Sequence, residues 1–126
     1  MNFILFLSVG IGGFVGAILR FSLSTAIGKA SSTTFPLGTL GVNILGSFLI
    51  GFLFLYFQQI NLSASQKAMF ITGLLGALTT FSTFSLDTIL LLQGELYFKA
   101  LMNVMLNLLL SLGATLLGMW LFRTIY

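Results

Sequence analysis

A chain of 126 residues that is 58% hydrophobic and only 6% charged, with a mean hydropathy of +1.14, lies outside the range of soluble globular domains, which carry about 25% charged residues. Cysteine and histidine are both absent, which excludes disulfides, thiolate chemistry, haem ligation and ordinary zinc sites together. Asp87 and Glu95 are the only acids, too few for a carboxylate metal cage or an acid and base pair, and the five basic residues behind the net charge of +3 are scattered, so the composition speaks against an enzyme and against a nucleic-acid partner.

A single membrane domain over residues 1–126 remains, because four spanning helices of about 20 residues each nearly use up the length. The first span is placed at residues 3–28. Its opening could pass for a signal peptide, but it has no basic region beyond the amino terminus, no small-residue cleavage site, and an apolar character that continues past Arg20. Gly12 with Gly16, and Gly13 with Ala17, are small residues four apart, the spacing that lets helix backbones approach closely in lipid. Arg20 is read as a structural side chain near the helix end, able to snorkel to the interface or bond a carbonyl end.

A short polar connection, GKASSTT, leads to Pro36, which suits a first helical turn because its missing N–H is not needed there. The second span is placed at 36–57. Gly38, Gly41, Gly46 and Gly51 thin one side of it, and Asn43 shares a face with Ser47. An isolated Asn at membrane depth is either interhelical glue, worth about 0.6–2 kcal/mol, or a ligand in a pathway.

The third span, 64–92, opens with Ser63 and Gln66 in capping-box spacing. Near its middle the stretch GLLGALTTFSTFSLD, residues 73–87, gathers Thr79, Thr80, Ser82, Thr83 and Ser85 around Phe81 and Phe84. Hydroxyls and glycines at membrane depth predict a broken helix that is buried in protein or lines a pathway, because loose backbone groups facing lipid are costly. The two phenylalanines, three apart, share a face; they are packing bulk or part of that pathway, and the surrounding hydroxyls favour the second reading.

Gly94 is the expected turn residue before the fourth span, 97–124. There Asn103, Asn107, Ser111 and Thr115 recur every fourth residue, which draws an oblique polar stripe down an otherwise Leu and Met helix. One such residue would be glue; four in register suggest a track. Trp120 and Tyr126 fit an interfacial aromatic belt.

With four spans, the amino terminus, Lys67 and Arg123 fall on one side of the membrane and Arg20, Lys29 and Lys99 on the other. Counting the free amino group, the two sides balance, and the rule that basic loops stay cytoplasmic has nothing to act on. A chain that inserts both ways can build by antiparallel dimerisation the symmetry that transporters obtain from inverted repeats.

GGFVGAILRF at 12–21, PLGTLGVNILGSFLIG at 36–51, GALTTFSTFS at 76–85 and NVMLNLLLSLG in the last helix together closely resemble the Fluc (CrcB) family of bacterial fluoride channels, over essentially the whole chain. The resemblance implies an all-α membrane protein of four transmembrane helices, the third broken near its middle. It implies an antiparallel, dual-topology homodimer in the bacterial inner membrane, which exports fluoride passively through two pores and relieves fluoride toxicity. It further implies a structural sodium ion on the dimer axis, held by the backbone carbonyls of Gly76 and Thr79 from both subunits. Asn43 becomes the pore-facing amide and Phe81 and Phe84 the aromatic pair, with the hydroxyls of Ser82 and Thr83 beside them. Asn103, Asn107 and Ser111 match the polar positions of the fourth helix. The chain departs from the family in carrying Ala77 where a second glycine is common and Asp87 where glutamate is common, changes that keep small size and charge respectively.

The residues suit that chemistry. Fluoride is small and tightly hydrated, so a pathway must replace its water with donors at close range, which amides and hydroxyls provide, while aromatic rings offer the positive edges of their quadrupoles. Two other readings compete. A small dual-topology drug exporter calls for an intramembrane carboxylate, for which Asp87 is the only candidate, and a non-transporting assembly subunit leaves the polar stripe and the hydroxyl-rich break without a use.

Overall fold

The computed structural model describes residues 2–126. Its elements are α1 (Phe3–Ala30), α2 (Leu37–Gln59), α3 (Ala64–Ala68) running through a π-helical stretch (Met69–Leu75) into α4 (Gly76–Leu78), then α5 (Phe81–Gln93) and α6 (Tyr97–Ile125). Taking Ala64–Gln93 as one interrupted span, four helices are long and apolar enough to cross a membrane. The protein is a multi-pass, all-α membrane protein.

Local chemistry explains the boundaries. Pro36 stands just outside α2 as its N-cap, with φ −78°, and the helix continues to Gln59. Ser63 and Gln66 form the capping box: the Ser63 hydroxyl accepts the Gln66 N–H at 3.2 Å and the Gln66 amide oxygen accepts the Ser63 N–H at 3.0 Å. At the end of α5 the left-handed position falls on Glu95, with φ 60°, rather than on Gly94. Leu96 N–H reaches Leu91 O at 2.9 Å and Glu95 N–H reaches Leu92 O at 3.0 Å, the paired bonds of a Schellman close. Because α1 runs on to Ala30, Arg20 lies well inside that helix and not near its end.

Two seams hold the bundle. α2 packs along α6, where Gly51 lies against the Thr115 backbone and Gly118 against that of Phe48, so that a Cβ on either would overlap a carbonyl oxygen. Val42 and Asn103 are fully buried near this seam. At its far end Phe52, Phe122 and Tyr126 cluster, with ring centroids 5.6 Å apart for Phe52 and Phe122 and 5.0 Å for Phe122 and Tyr126. The second seam joins α1 to the π-helical stretch, where buried Gly12 and Gly16 face the carbonyl oxygens of Met69 and Leu74. The widened turns bring these carbonyls outward, and glycine leaves them room.

Large apolar side chains cover the outside: Phe3, Phe14, Phe21, Phe98 and Leu116 are all exposed. Such a surface belongs in lipid or against another subunit, since water-facing monomers rarely expose contiguous apolar area of this extent.

Candidate functional site

The site forms where the third span breaks. Thr79 (φ −90°, ψ 159°) and Thr80 (φ −151°, ψ 123°) are extended between α4 and α5; the Thr79 N–H still closes a helical bond to Leu75 O, but both backbone groups of Thr80 leave the ladder and need other partners. Asn43 of α2 supplies them. Its Oδ1 accepts the Thr80 N–H at 2.8 Å and its Nδ2 donates to Thr80 O at 3.1 Å, so one side chain satisfies both polar groups of the extended residue. The Thr80 hydroxyl then accepts the Thr83 N–H at 3.2 Å and caps α5.

These bonds have a consequence four residues upstream. In an unbroken helix Thr80 N–H would serve Gly76 O and Thr83 N–H would serve Thr79 O. Here both donors are directed elsewhere, to Asn43 and to the Thr80 hydroxyl. Thr79 itself bonds Leu75 O twice, through N–H at 3.2 Å and through its hydroxyl at 3.1 Å.

From Asn43 a run of polar side chains leads away from the break. Asn43 Nδ2 also donates to Asn107 Oδ1 at 3.0 Å. Asn107 Nδ2 donates to Asn103 O at 2.9 Å and Asn103 Oδ1 at 3.0 Å. Asn103 Nδ2 donates to the Thr88 hydroxyl at 2.9 Å, and Thr88 closes the run by donating to Phe84 O at 2.8 Å. The stripe on α6 is therefore joined to α2 and to α5, and the chain of bonds returns to the helix whose first turn it supports. Every buried side-chain nitrogen and oxygen among the described residues has a partner.

Beside the break lies a cavity of about 590 Å³ whose polar wall is Asn43, Ser47, Thr79, Thr80, Asn107 and Ser111. Phe81, Phe84 and Gly76 also line it. No charged side chain does. A smaller cavity of about 280 Å³ shares Thr80 and is lined by Arg20, Ser24, Thr39 and Thr83.

The structure thus brings Asn43, Phe81, Phe84, Asn107, Ser111, Gly76 and Thr79 to one cavity and places Thr83 and Arg20 at the other. Ser82 is exposed beside the break, within 3.3 Å of the Thr80 hydroxyl. Asn103, at 0% exposure, lines neither cavity and serves the polar run from behind. The Phe81 and Phe84 rings lie 5.4 Å apart at 58°; Phe84 is half-buried while Phe81 is 78% exposed. Two further participants emerge. Thr88 ends the polar run, and Thr39 donates to Asp87 Oδ2 at 2.9 Å, joining α2 to α5. Nothing local in the sequence marks either pairing, since 48 residues separate Thr39 from Asp87. The capping role of Thr80, by contrast, was available in the spacing of Thr80 and Thr83.

The chain is similar to known proteins over nearly its whole length. The family model described as CrcB-like protein, Camphor Resistance (CrcB), matches residues 7–119. A relative from Sulfurovum sp. is 57% identical over 122 residues, covering 97% of this chain and 96% of its own. One from Nitratiruptor sp. is 52% identical over 126 residues, covering 100% and 98%, and one from Campylobacter fetus is 45% identical over 127, covering 100% and 99%. All three carry the name fluoride-specific ion channel FluC.

Proposed function

The chain belongs to the CrcB-like family, whose members are ion channels and not enzymes, and from that premise we propose that it conducts fluoride passively across the bacterial inner membrane. The observation that carries the reading is the cavity beside the broken third span, walled by amides, hydroxyls and aromatic rings with no charged side chain. Conduction needs binding strong enough to strip water from the ion and weak enough to release it. Neutral donors, several in a row, meet both demands; an ammonium in the same place would trap the ion. A passive path has no direction of its own, so the fluoride gradient drives export and relieves toxicity.

The proposed pathway comprises Asn43, Phe81, Phe84, Ser82, Thr83, Asn107 and Ser111, with Asn103 supporting it and Arg20 in a structural place at the second cavity. We propose the working unit to be an antiparallel homodimer of dual topology with two pores. Two observations favour it. With Arg20 inside α1, the ends of the spans carry the amino group, Lys67 and Arg123 on one side and Lys29 and Lys99 on the other, a bias too small to fix one orientation, and Phe81 is exposed beside the cavity it lines, where a second subunit would meet it.

A sodium ion on the dimer axis fits the donor set. The carbonyls of Gly76 and Thr79 have lost their regular helical donors, and a monovalent cation takes oxygen ligands of this kind. Bound there, sodium would supply the positive charge that these oxygens otherwise lack and would tie the two breaks together, as a structural ion and not a transported one.

The test is fluoride efflux from liposomes carrying the purified protein, followed with a fluoride electrode, with chloride as control. Fluoride release far above that of empty liposomes, without chloride release, is expected. Efflux no faster than from protein-free liposomes would remove the reading.

A further inference from the structure

The end of α2 and the opening of the third span enclose a further cavity, of about 380 Å³, away from the break. Gln58 and Lys67 line it from the two helix ends, and Thr72 lines it more than a turn further into the span. The rest of its wall is apolar, chiefly Phe54, Phe57 and Ile71. Phe57 is buried with its ring 5.8 Å from that of Phe70, so packing fixes this floor.

The three polar side chains are exposed, and none of them bonds another described residue. Lys67 has no counterion to find within the subunit, because the two acids of the chain, Asp87 and Glu95, stand at the far end of the same span. Lys99, by contrast, is tied to the Thr34 hydroxyl. Depth in the membrane follows from the neighbours of the cavity. Tyr56 and Tyr126, with ring centroids 6.0 Å apart at this end of the bundle, are of the aromatic type that settles at headgroup level. Gln58 and Lys67 share that level, and Phe54 and Ile71 lie a turn deeper, at the level of acyl chains.

We propose that this cavity binds an anionic phospholipid, with Lys67 and Gln58 meeting the headgroup phosphate and the floor of Phe54, Phe57 and Ile71 receiving an acyl chain. The order of the wall selects the ligand. A free ion would find donors at the rim and none on the floor, whereas a phospholipid is charged at the first level and hydrocarbon at the second. The ammonium supplies the charge-assisted bond that singles out an anionic headgroup from a zwitterionic one.

The test titrates purified full-length protein in neutral detergent with phosphatidylglycerol, phosphatidylcholine or inorganic phosphate, reading retained lipid by native mass spectrometry and the melting temperature. Wild type is expected to retain phosphatidylglycerol in preference to phosphatidylcholine and to melt higher with it. Lys67→Gln is expected to weaken phosphatidylglycerol binding by about five-fold or more, the worth of one lysine at a membrane surface. Lys67→Arg, and Lys29→Gln at the exposed last turn of α1, are expected to leave it unchanged. Ala68→Phe, which keeps the charge but fills the cavity, is expected to weaken it as well. Equal retention of phosphatidylglycerol by wild type and Lys67→Gln overturns the proposal. So does undiminished binding in Ala68→Phe, which would reduce the site to surface attraction, and so does inorganic phosphate that raises the melting temperature as far as the lipid does. Binding confined to protein that elutes as a monomer also overturns it, since a second subunit would then be the occupant.

Discussion

The side-chain amide of Asn43 pairs with both backbone groups of Thr80, accepting its N–H at 2.8 Å and donating to its carbonyl at 3.1 Å. From sequence, Asn43 is either glue between helices or a pathway residue; in the structure it joins α2 to the extended Thr80 and also lines the cavity beside the break. The break therefore depends on a residue 37 positions away in the chain.

Asn43→Asp puts a negative oxygen where Nδ2 now faces Thr80 O and Asn107 Oδ1, replacing two attractions by two repulsions. Each partner left unpaired costs about 1–3 kcal/mol. The variant is expected to melt well below the wild type and to lose flux, and Asn43→Ser to fall between. A thermal melt of Asn43→Asp that matches the wild type would show that the pairing carries no stability.

The seam between α1 and the π-helical stretch offers a contrast within one residue type. A Cβ on Gly12 or Gly16 would overlap the carbonyl oxygens of Met69 or Leu74, while one on Gly113 meets nothing within 4 Å. Gly12→Ala and Gly16→Ala are expected to cost about 1–3 kcal/mol through forced backbone shifts. Gly113→Ala is expected to gain up to about 1 kcal/mol, since alanine is the better helix former. Denaturation of the three variants in detergent ranks them directly, and a destabilised Gly113→Ala would contradict the packing described.

Sodium binding should appear as linkage. If Gly76 and Thr79 carbonyls hold the ion, replacing sodium by a bulky organic cation should lower stability, by about 2.7 kcal/mol where sodium had been present at 100 times its dissociation constant. A Cβ at Gly76 finds only Ile71 O, at 3.8 Å, within its own subunit, so Gly76→Val should leave the subunit folded. Its dimer should nonetheless lose the sodium-dependent part of its stability. A melting temperature independent of sodium in the wild type would dispose of the site.

How much of this was legible beforehand follows from how local each feature is. The four spans, the capping box at Ser63 and Gln66, and the stripe of Asn103, Asn107, Ser111 and Thr115 depend on spacing within one helix, and the sequence displays them. The π-helical turns at Met69–Leu75 depend on what α1 presents across the seam, and no residue type announces an i to i+5 ladder. The left-handed turn settled on Glu95 although Gly94 stood beside it, because the Schellman bonds to Leu91 and Leu92 fix which residue must turn. The stripe itself was visible, but its direction was not. That direction is set by the Thr80 N–H, which can only donate and so fixes which way the Asn43 amide and those beyond it face.

The proposed dual topology makes its own demand on the loops. The connection holding Lys29 and the one holding Lys67 lie on opposite sides of any single subunit, so in a mixed population each must be found on both sides of the membrane. Single cysteines introduced at Ser32 and Ser65, both polar and outside the buried core, are expected to label from either face with an impermeant thiol reagent. Two or three added lysines on one side should bias insertion and reduce flux until an oppositely biased copy is co-expressed. Labelling of each loop from one face alone would remove the antiparallel dimer.

Phe81 and Phe84 separate packing from conduction most cleanly, because their environments differ. Phe84 is half-buried and Phe81 is 78% exposed, so within a subunit Phe81 contributes little to the fold. Isoleucine keeps apolar bulk at either position but has no ring quadrupole, and hence no positive edge to turn toward an anion. Phe81→Ile is expected to stay within about 0.5 kcal/mol of the wild type, as surface changes do, and to elute as the same assembly while fluoride efflux falls at least several-fold. Phe84→Ile should lose flux too, with a modest cost in stability because its ring packs on Phe81 at 5.4 Å and is partly enclosed. If both rings were only bulk the order would reverse, with stability lost first and flux following it. Efflux and melting curves on the two variants distinguish the cases, and normal fluoride flux in both would sink the assignment of this pathway.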